Sequence, residues 1–260
     1  FSKYVRSLIV LCLFGFSFPV VGSEGLQNKG FPLDVWQIQS AKEANIDAQK
    51  LEKLFSLSFE DPATQGVALF KHGRLIKERY AEGYQQNSPG TSWSMAKSFY
   101  ASLIGISIDR GEIASLDDKV GLYLDYFNDE RSSISIRDLL NMSSGLEMPE
   151  HEHEKMFFSS DHLAYARAVG VEKPANQKFE YNNVNSMLLA DILEKATGKK
   201  ADVLLRERVF DKIGLTDVTL WRDAAGNPLT YCCVDASARQ YSRFGLLFAR
   251  NGRWNDEQVI

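Results

Sequence analysis

Cysteine is scarce in this chain, with three in 260 residues. Cys12 lies in an N-terminal apolar run, and Cys232 and Cys233 are adjacent, so no disulfide framework can join distant segments. Two small packed thiols are the expectation for the adjacent pair, with a vicinal disulfide as the alternative in an oxidising compartment. Basic residues are in slight deficit, 30 Lys and Arg against 34 Asp and Glu, with no basic stripe and no zinc-finger spacing; no nucleic-acid partner is expected. Long hydrophobic runs are also missing. The longest N-terminal one, Leu8 to Phe18, is about a dozen residues, short of the roughly 20 that span a bilayer. Lys3 and Arg6 precede it and Val21-Gly22-Ser23 gives a small-residue exit before Glu24, the pattern of a cleavable signal peptide over residues 1–23. Periplasmic or secreted localisation follows, with no stable membrane anchor after cleavage. Cys12 sits inside the run and not at its end, which argues against a lipid anchor.

Repeats and low-complexity linkers are absent as well, so residues 24–260 read as a single domain with one or two subdomains. The four histidines lack H-E-x-x-H spacing, and His151-Glu152-His153-Glu154 alternates in a way that does not put two imidazoles on one helix face. Neither a metal nor another cofactor is expected. The charged segment Pro149 to Lys155 reads as the rim of a cleft that can touch substrate, with His162 and Tyr165 just beyond it and within reach of the pocket. Asp47 predicts the cap of a helix over Ala48 to Ser58, and Gly66 to Tyr80 a hairpin turning at His72-Gly73. Residues 94–140 and 163–205 read as mostly helical, with prolines marking the loops.

What the chain does have is Ser94-Met95-Ala96-Lys97 at the start of an apolar run with helical spacing, Met95 to Ile108. A serine and a lysine three residues apart share one helix face and can exchange a proton. Near a helix N-terminus, unpaired N–H groups and the dipole favour negative charge on a substrate oxygen, and the Ser94 N–H can serve as one oxyanion donor. Lys97 acts as base only if its surroundings lower its pKa. Alone, the tetrapeptide also fits a core helix carrying a surface lysine. The second feature is Tyr181-Asn182-Asn183, which opens the amphipathic run Val184 to Thr197, ended by Gly198. Tyr181 can relay a proton if a nearby ammonium lowers its pKa, and Asn183 can donate to a substrate carbonyl. Without its surroundings, the triplet equally fits a core tyrosine beside a capping asparagine.

Four segments occur in register: Trp93 to Phe99 around Ser94 and Lys97, Ser115-Leu116-Asp117-Asp118-Lys119-Val120, Ile134 to Leu146, and Tyr181-Asn182-Asn183. Together they resemble the serine beta-lactamase and penicillin-binding-protein superfamily. Within it the likeness is to the class C beta-lactamase-related hydrolases of the 6-aminohexanoate-dimer hydrolase and esterase-like branch, to which Tyr231-Cys232-Cys233, Ala236 to Arg239 and Arg243-Phe244-Gly245 also point. The resemblance covers roughly Asp34 to Ile260. It implies an α/β (α+β) fold, an antiparallel sheet flanked by helices with a helical subdomain at whose boundary the site lies. It also implies Ser94 as acylated nucleophile, Lys97 as its base, Tyr181 as proton shuttle and Asn183 as the group that orients substrate and Lys97. The third family motif, Lys or His followed by a small residue and Gly, does not follow Tyr181. The strand that carries it is therefore expected beyond Ile260, with the remaining C-terminal strands of a truncated domain. The resulting expectation is a serine hydrolase cleaving an ester or short amide, with a D-alanyl-D-alanine carboxypeptidase or beta-lactamase as the alternative. A non-catalytic binding or sensor domain is the alternative of another class.

Overall fold

The computed structural model describes residues 30–32, 35–149 and 151–260; the leader-like residues 1–23, Cys12 among them, lie outside those described. Helix α1 (Ala48–Ser58) starts where the Asp47 carboxylate accepts the Gln49 and Lys50 N–H groups. Strands β1 (Gly66–Lys71) and β2 (Arg74–Tyr80) pair antiparallel around His72 and Gly73, whose φ values of 53° and 77° suit a two-residue hairpin turn. Ala44, Leu51, Phe55 and Ile76 form a small separate core between α1 and this hairpin.

Strand β3 (Gly90–Thr91) runs through a 3-10 turn, Trp93–Met95, into helix α2 (Ala96–Asp109). The helical stretch expected to continue to residue 140 is interrupted. From Arg110 the chain makes turns and two short 3-10 segments before α3 (Ile136–Leu140). Asp118 and Asp129 accept the nearby N–H groups of Ala114 and Arg131, offering the backbone an alternative to helix. The chain continues through α4 (Glu152–Phe157), α5 (His162–Ala168), α6 (Asn183–Thr197) and α7 (Ala201–Leu205), which runs on as a π-helical turn, Arg206–Phe210. Strands β4 (Thr219–Leu220) and β5 (Val234–Ala236) come next, then α8 (Ala238–Ala249) and the small pair β6 (Arg253–Trp254) and β7 (Glu257–Gln258).

The fold is the expected mixture of antiparallel sheets and flanking helices, the central three-stranded sheet having the order β3-β5-β4. Helix α6 differs from its amphipathic reading. Every residue from Val184 to Leu193 is buried, because α2, α3, α5 and α7 pack around it. The second and third sequence signatures form scaffold. The Asp118 and Ile134 carbonyls accept the Ile136 and Val120 N–H groups, and Asp117 pairs with Arg137 at 2.7 Å. Buried Ser144 donates to Asn185 Oδ1 on α6. Gly145, at φ 74°, lies against the Lys173 carbonyl, where a Cβ would be 2.0 Å from the oxygen.

Candidate active site

Ser94 stands where β3 becomes α2, and the sheet holds that junction from both sides. Ser92 N–H donates to the Val234 carbonyl at 2.8 Å, Val234 N–H donates back to Ser92 Oγ at 2.9 Å, and Thr91 Oγ1 donates to Asp235 at 2.7 Å. Trp93, between this anchor and Ser94, is held at φ 46°, an uncommon conformation for a bulky residue and a form of local strain that accumulates at functional sites. The Ser94 N–H belongs to the first turn, which has no carbonyl one turn back to bond.

Lys97 Nζ reaches three oxygens: Ser94 Oγ at 3.0 Å, Asn183 Oδ1 at 2.8 Å and the Tyr231 carbonyl at 2.7 Å. Tyr181 Oη lies 2.6 Å from Ser94 Oγ, and Lys97 Nζ sits 5.0 Å from the centre of its ring. All four expected residues, Ser94, Lys97, Tyr181 and Asn183, are therefore gathered at one point. Asn182 supplies the cap, accepting the Val184 N–H at 2.9 Å and donating to the Glu147 carbonyl at 3.0 Å. The capping reading and the site reading of the triplet both hold, on neighbouring residues: Asn182 starts α6, and Asn183 turns to Lys97.

Two proton arrangements satisfy these contacts with the same number of protons. In one, a neutral Lys97 amine donates to Asn183 and Tyr231 and accepts the Ser94 proton on its lone pair, while the Tyr181 hydroxyl donates to Ser94 Oγ. In the other, an ammonium donates to all three oxygens and Ser94 donates to a Tyr181 phenolate. Partial burial pushes the Tyr181 pKa up, but the hydrogen bonds with Ser94 and Lys97 and the nearby lysine charge outweigh it, holding the phenol below its usual value. The second arrangement is thereby brought within reach of the first.

Two contributors are not legible as motifs. Tyr231 acts through its carbonyl, which no residue type announces. His153, at the N-terminal end of α4, places Nδ1 2.8 Å from Asn183 Nδ2 and its ring edge-on to Tyr181. His162 is buried behind the site with Nδ1 3.0 Å from Tyr231 Oη; burial keeps its pKa low. Tyr165 packs against the main core. Among the described residues no three His, Cys, Asp or Glu side chains gather as a metal site, and no helix is long and apolar enough to cross a membrane.

The expectation of two packed thiols is corrected: Cys232 and Cys233 are joined as a vicinal disulfide. An extended backbone would send adjacent side chains to opposite faces, but Cys233 takes φ 77° in the turn before β5, which lets both fall on one side.

The Beta-lactamase family matches residues 58–254, and the chain belongs to that family. It is 30% identical over 176 residues to a D-aminopeptidase of Brucella anthropi, a stretch covering 61% of this chain and 33% of that protein. It is 26% identical over 190 residues to a teichoic acid D-alanine hydrolase of Staphylococcus aureus, covering 70% and 44%. The chain thus spans less than half the length of these curated relatives. Among solved structures, a Bacillus anthracis protein assigned as a 6-aminohexanoate-dimer hydrolase superposes with a TM-score of 0.74 at 21% identity, over 86% of this chain and 65% of that one. A class C beta-lactamase gives 0.61 at 16% identity over 75% and 62%. At these identities the structural likeness speaks to the fold.

Proposed function

We propose that this protein is a serine hydrolase that cleaves an ester or short amide by acyl transfer. The observation that carries the reading is the meeting of Lys97 Nζ and Tyr181 Oη at the one hydroxyl of Ser94, at 3.0 and 2.6 Å. Ser94 Oγ attacks the substrate carbonyl carbon while its proton passes to the Lys97–Tyr181 pair. The carbonyl electrons move onto oxygen, where the Ser94 N–H is one donor. Collapse expels the leaving group, which takes the proton from Tyr181, and water then cleaves the acyl-enzyme with the proton travelling in reverse. Beside Ser94, Trp93, 62% exposed, stands against Phe157 with ring centroids 6.3 Å apart, an apolar surface that suits an uncharged acyl or leaving group. A second reading, a D-alanyl-D-alanine carboxypeptidase or related D-amino-acid hydrolase, is favoured by the names of the D-aminopeptidase and D-alanine hydrolase relatives. Export to the periplasm or exterior, with a small-molecule ester, amide or peptide as substrate, belongs to the same proposal.

The test is intact-mass analysis after separate incubation with a fluorophosphonate, a penicillin and a p-nitrophenyl ester, with and without Ser94→Ala. Adducts that require Ser94 are expected, turnover of the ester identifies the esterase, and a stable penicilloyl adduct favours the second reading. A folded protein that no reagent modifies is instead a binding domain.

A further inference from the structure

We propose that His153 is a positioning residue: it fixes which way round the Asn183 amide lies, and through that amide keeps Lys97 directed at Ser94. The inference rests on the acyl-transfer reading above. The His-Glu-His-Glu stretch has the wrong spacing for metal, and the fold puts its second imidazole to a different use. His153 Nδ1 lies 2.8 Å from Asn183 Nδ2, and Asn183 Oδ1 lies 2.8 Å from Lys97 Nζ, so the amide bridges the two side chains.

A primary amide donates at one end and accepts at the other, so its orientation fixes the proton roles of both neighbours. With Oδ1 toward Lys97, the lysine donates to Asn183, and His153 Nδ1 accepts, its own proton on Nε2. With the amide reversed, Nδ2 would donate toward Lys97 and His153 Nδ1–H would donate to Oδ1. Reversal is incompatible with either proton arrangement of the site. An ammonium would face a donor, and a neutral amine would give Asn183 the lone pair that Ser94 needs. A His153 that accepts at Nδ1 therefore selects the productive orientation. The same orientation leaves the second Nδ2 hydrogen for a substrate carbonyl.

The imidazole is placed to do this by more than its own hydrogen bond. It comes from α4, which is anchored by fully buried Met156 and by Phe157 against Trp93. Its ring meets Tyr181 edge-on, with centroids 6.0 Å apart at 73°. His153 is thus fixed relative to the two residues that flank Asn182.

Two measurements on the full chain test the proposal. Two-bond proton–nitrogen correlation spectra of protein with ¹⁵N-labelled histidine, with His153→Gln to assign the ring, are expected to show His153 neutral with Nδ1 unprotonated and the proton on Nε2. A ring protonated at Nδ1 overturns the relay. Acylation by a p-nitrophenyl ester is then compared in His153→Phe, which keeps a ring against Tyr181 but cannot accept, and in His153→Gln, whose Oε1 can. Loss of one neutral hydrogen bond predicts an acylation rate about fivefold to tenfold lower in the phenylalanine variant, with the glutamine variant within about twofold of the wild type. Equal rates in wild type and His153→Phe overturn the role. If the wild type itself shows no Ser94-dependent acylation, the hydrolase reading falls, and the tautomer measurement still decides the His153–Asn183 relay by itself.

Discussion

Ser94 has two proton acceptors within reach, and the chemistry at this residue depends on how they share one proton. Tyr181→Phe removes the phenolic oxygen at 2.6 Å while keeping the ring, and is expected to slow acylation by about 10²- to 10⁴-fold, read by stopped-flow release of p-nitrophenol. The lowered Tyr181 pKa has a definite sign. The phenolate fraction rises with pH through a midpoint below the ordinary phenol value, so one tyrosine signal in ζ-¹³C-labelled protein should titrate early. Lys97→Ala removes a hydrogen bond and a positive charge while leaving the burial that raises the pKa, so that signal should move to higher pH. A signal indifferent to Lys97 would contradict the electrostatic account. That these side chains could meet was legible in the sequence because hydroxyl, amine and phenol are distinct residue types in short motifs. The Tyr231 carbonyl was not, since every residue has one. His153 was only half legible: its position at the cleft rim could be inferred, but its partner depends on how α4 packs beside α6.

Elements set the geometry by joining at few points, and those joints are where substitutions should cost most. Asn182 both caps α6 and donates to the Glu147 carbonyl from a buried position, so Asn182→Ala is expected to cost about 1–3 kcal/mol in urea unfolding. Gly145→Ala meets a positive φ and the Lys173 carbonyl together; a loss of about 1–3 kcal/mol or more is expected, with slower acylation because the loop it holds leads to Tyr181. Capping and turn chemistry made α1 and the hairpin readable residue by residue, since Asp47, His72 and Gly73 act on their immediate neighbours. Helix α6 was misread as amphipathic because its polar residues Asn185, Ser186 and Asp191 are buried too. Asn185 accepts from Ser144, and Asp191 pairs with Arg167 and Tyr126. A polar residue satisfied in the core looks, in sequence, like one facing water.

At the scale of the molecule, the described residues form two cores of unequal size. The main one runs from Phe31 to Val259 and contains α2 and α6, whereas α1 and the hairpin share a small core of their own. The lobes are tied by the Arg239–Glu78 ion pair and by Trp36, whose Nε1 donates to the Arg239 carbonyl. Native-state hydrogen exchange should therefore show β1 and β2 amides opening at lower free energy than those of α6, and a single uniform protection level would contradict this division. Between the β3-β5-β4 sheet and the lysine lies the Cys232–Cys233 bond, one residue from the carbonyl that Lys97 uses and one from the strand that anchors Ser92. Thiol reagents are therefore not inert additives for this protein. A preparation stored in dithiothreitol is expected to weigh two hydrogen atoms more than one stored in air, and measurements on the two are comparable only when the redox state of each batch is recorded.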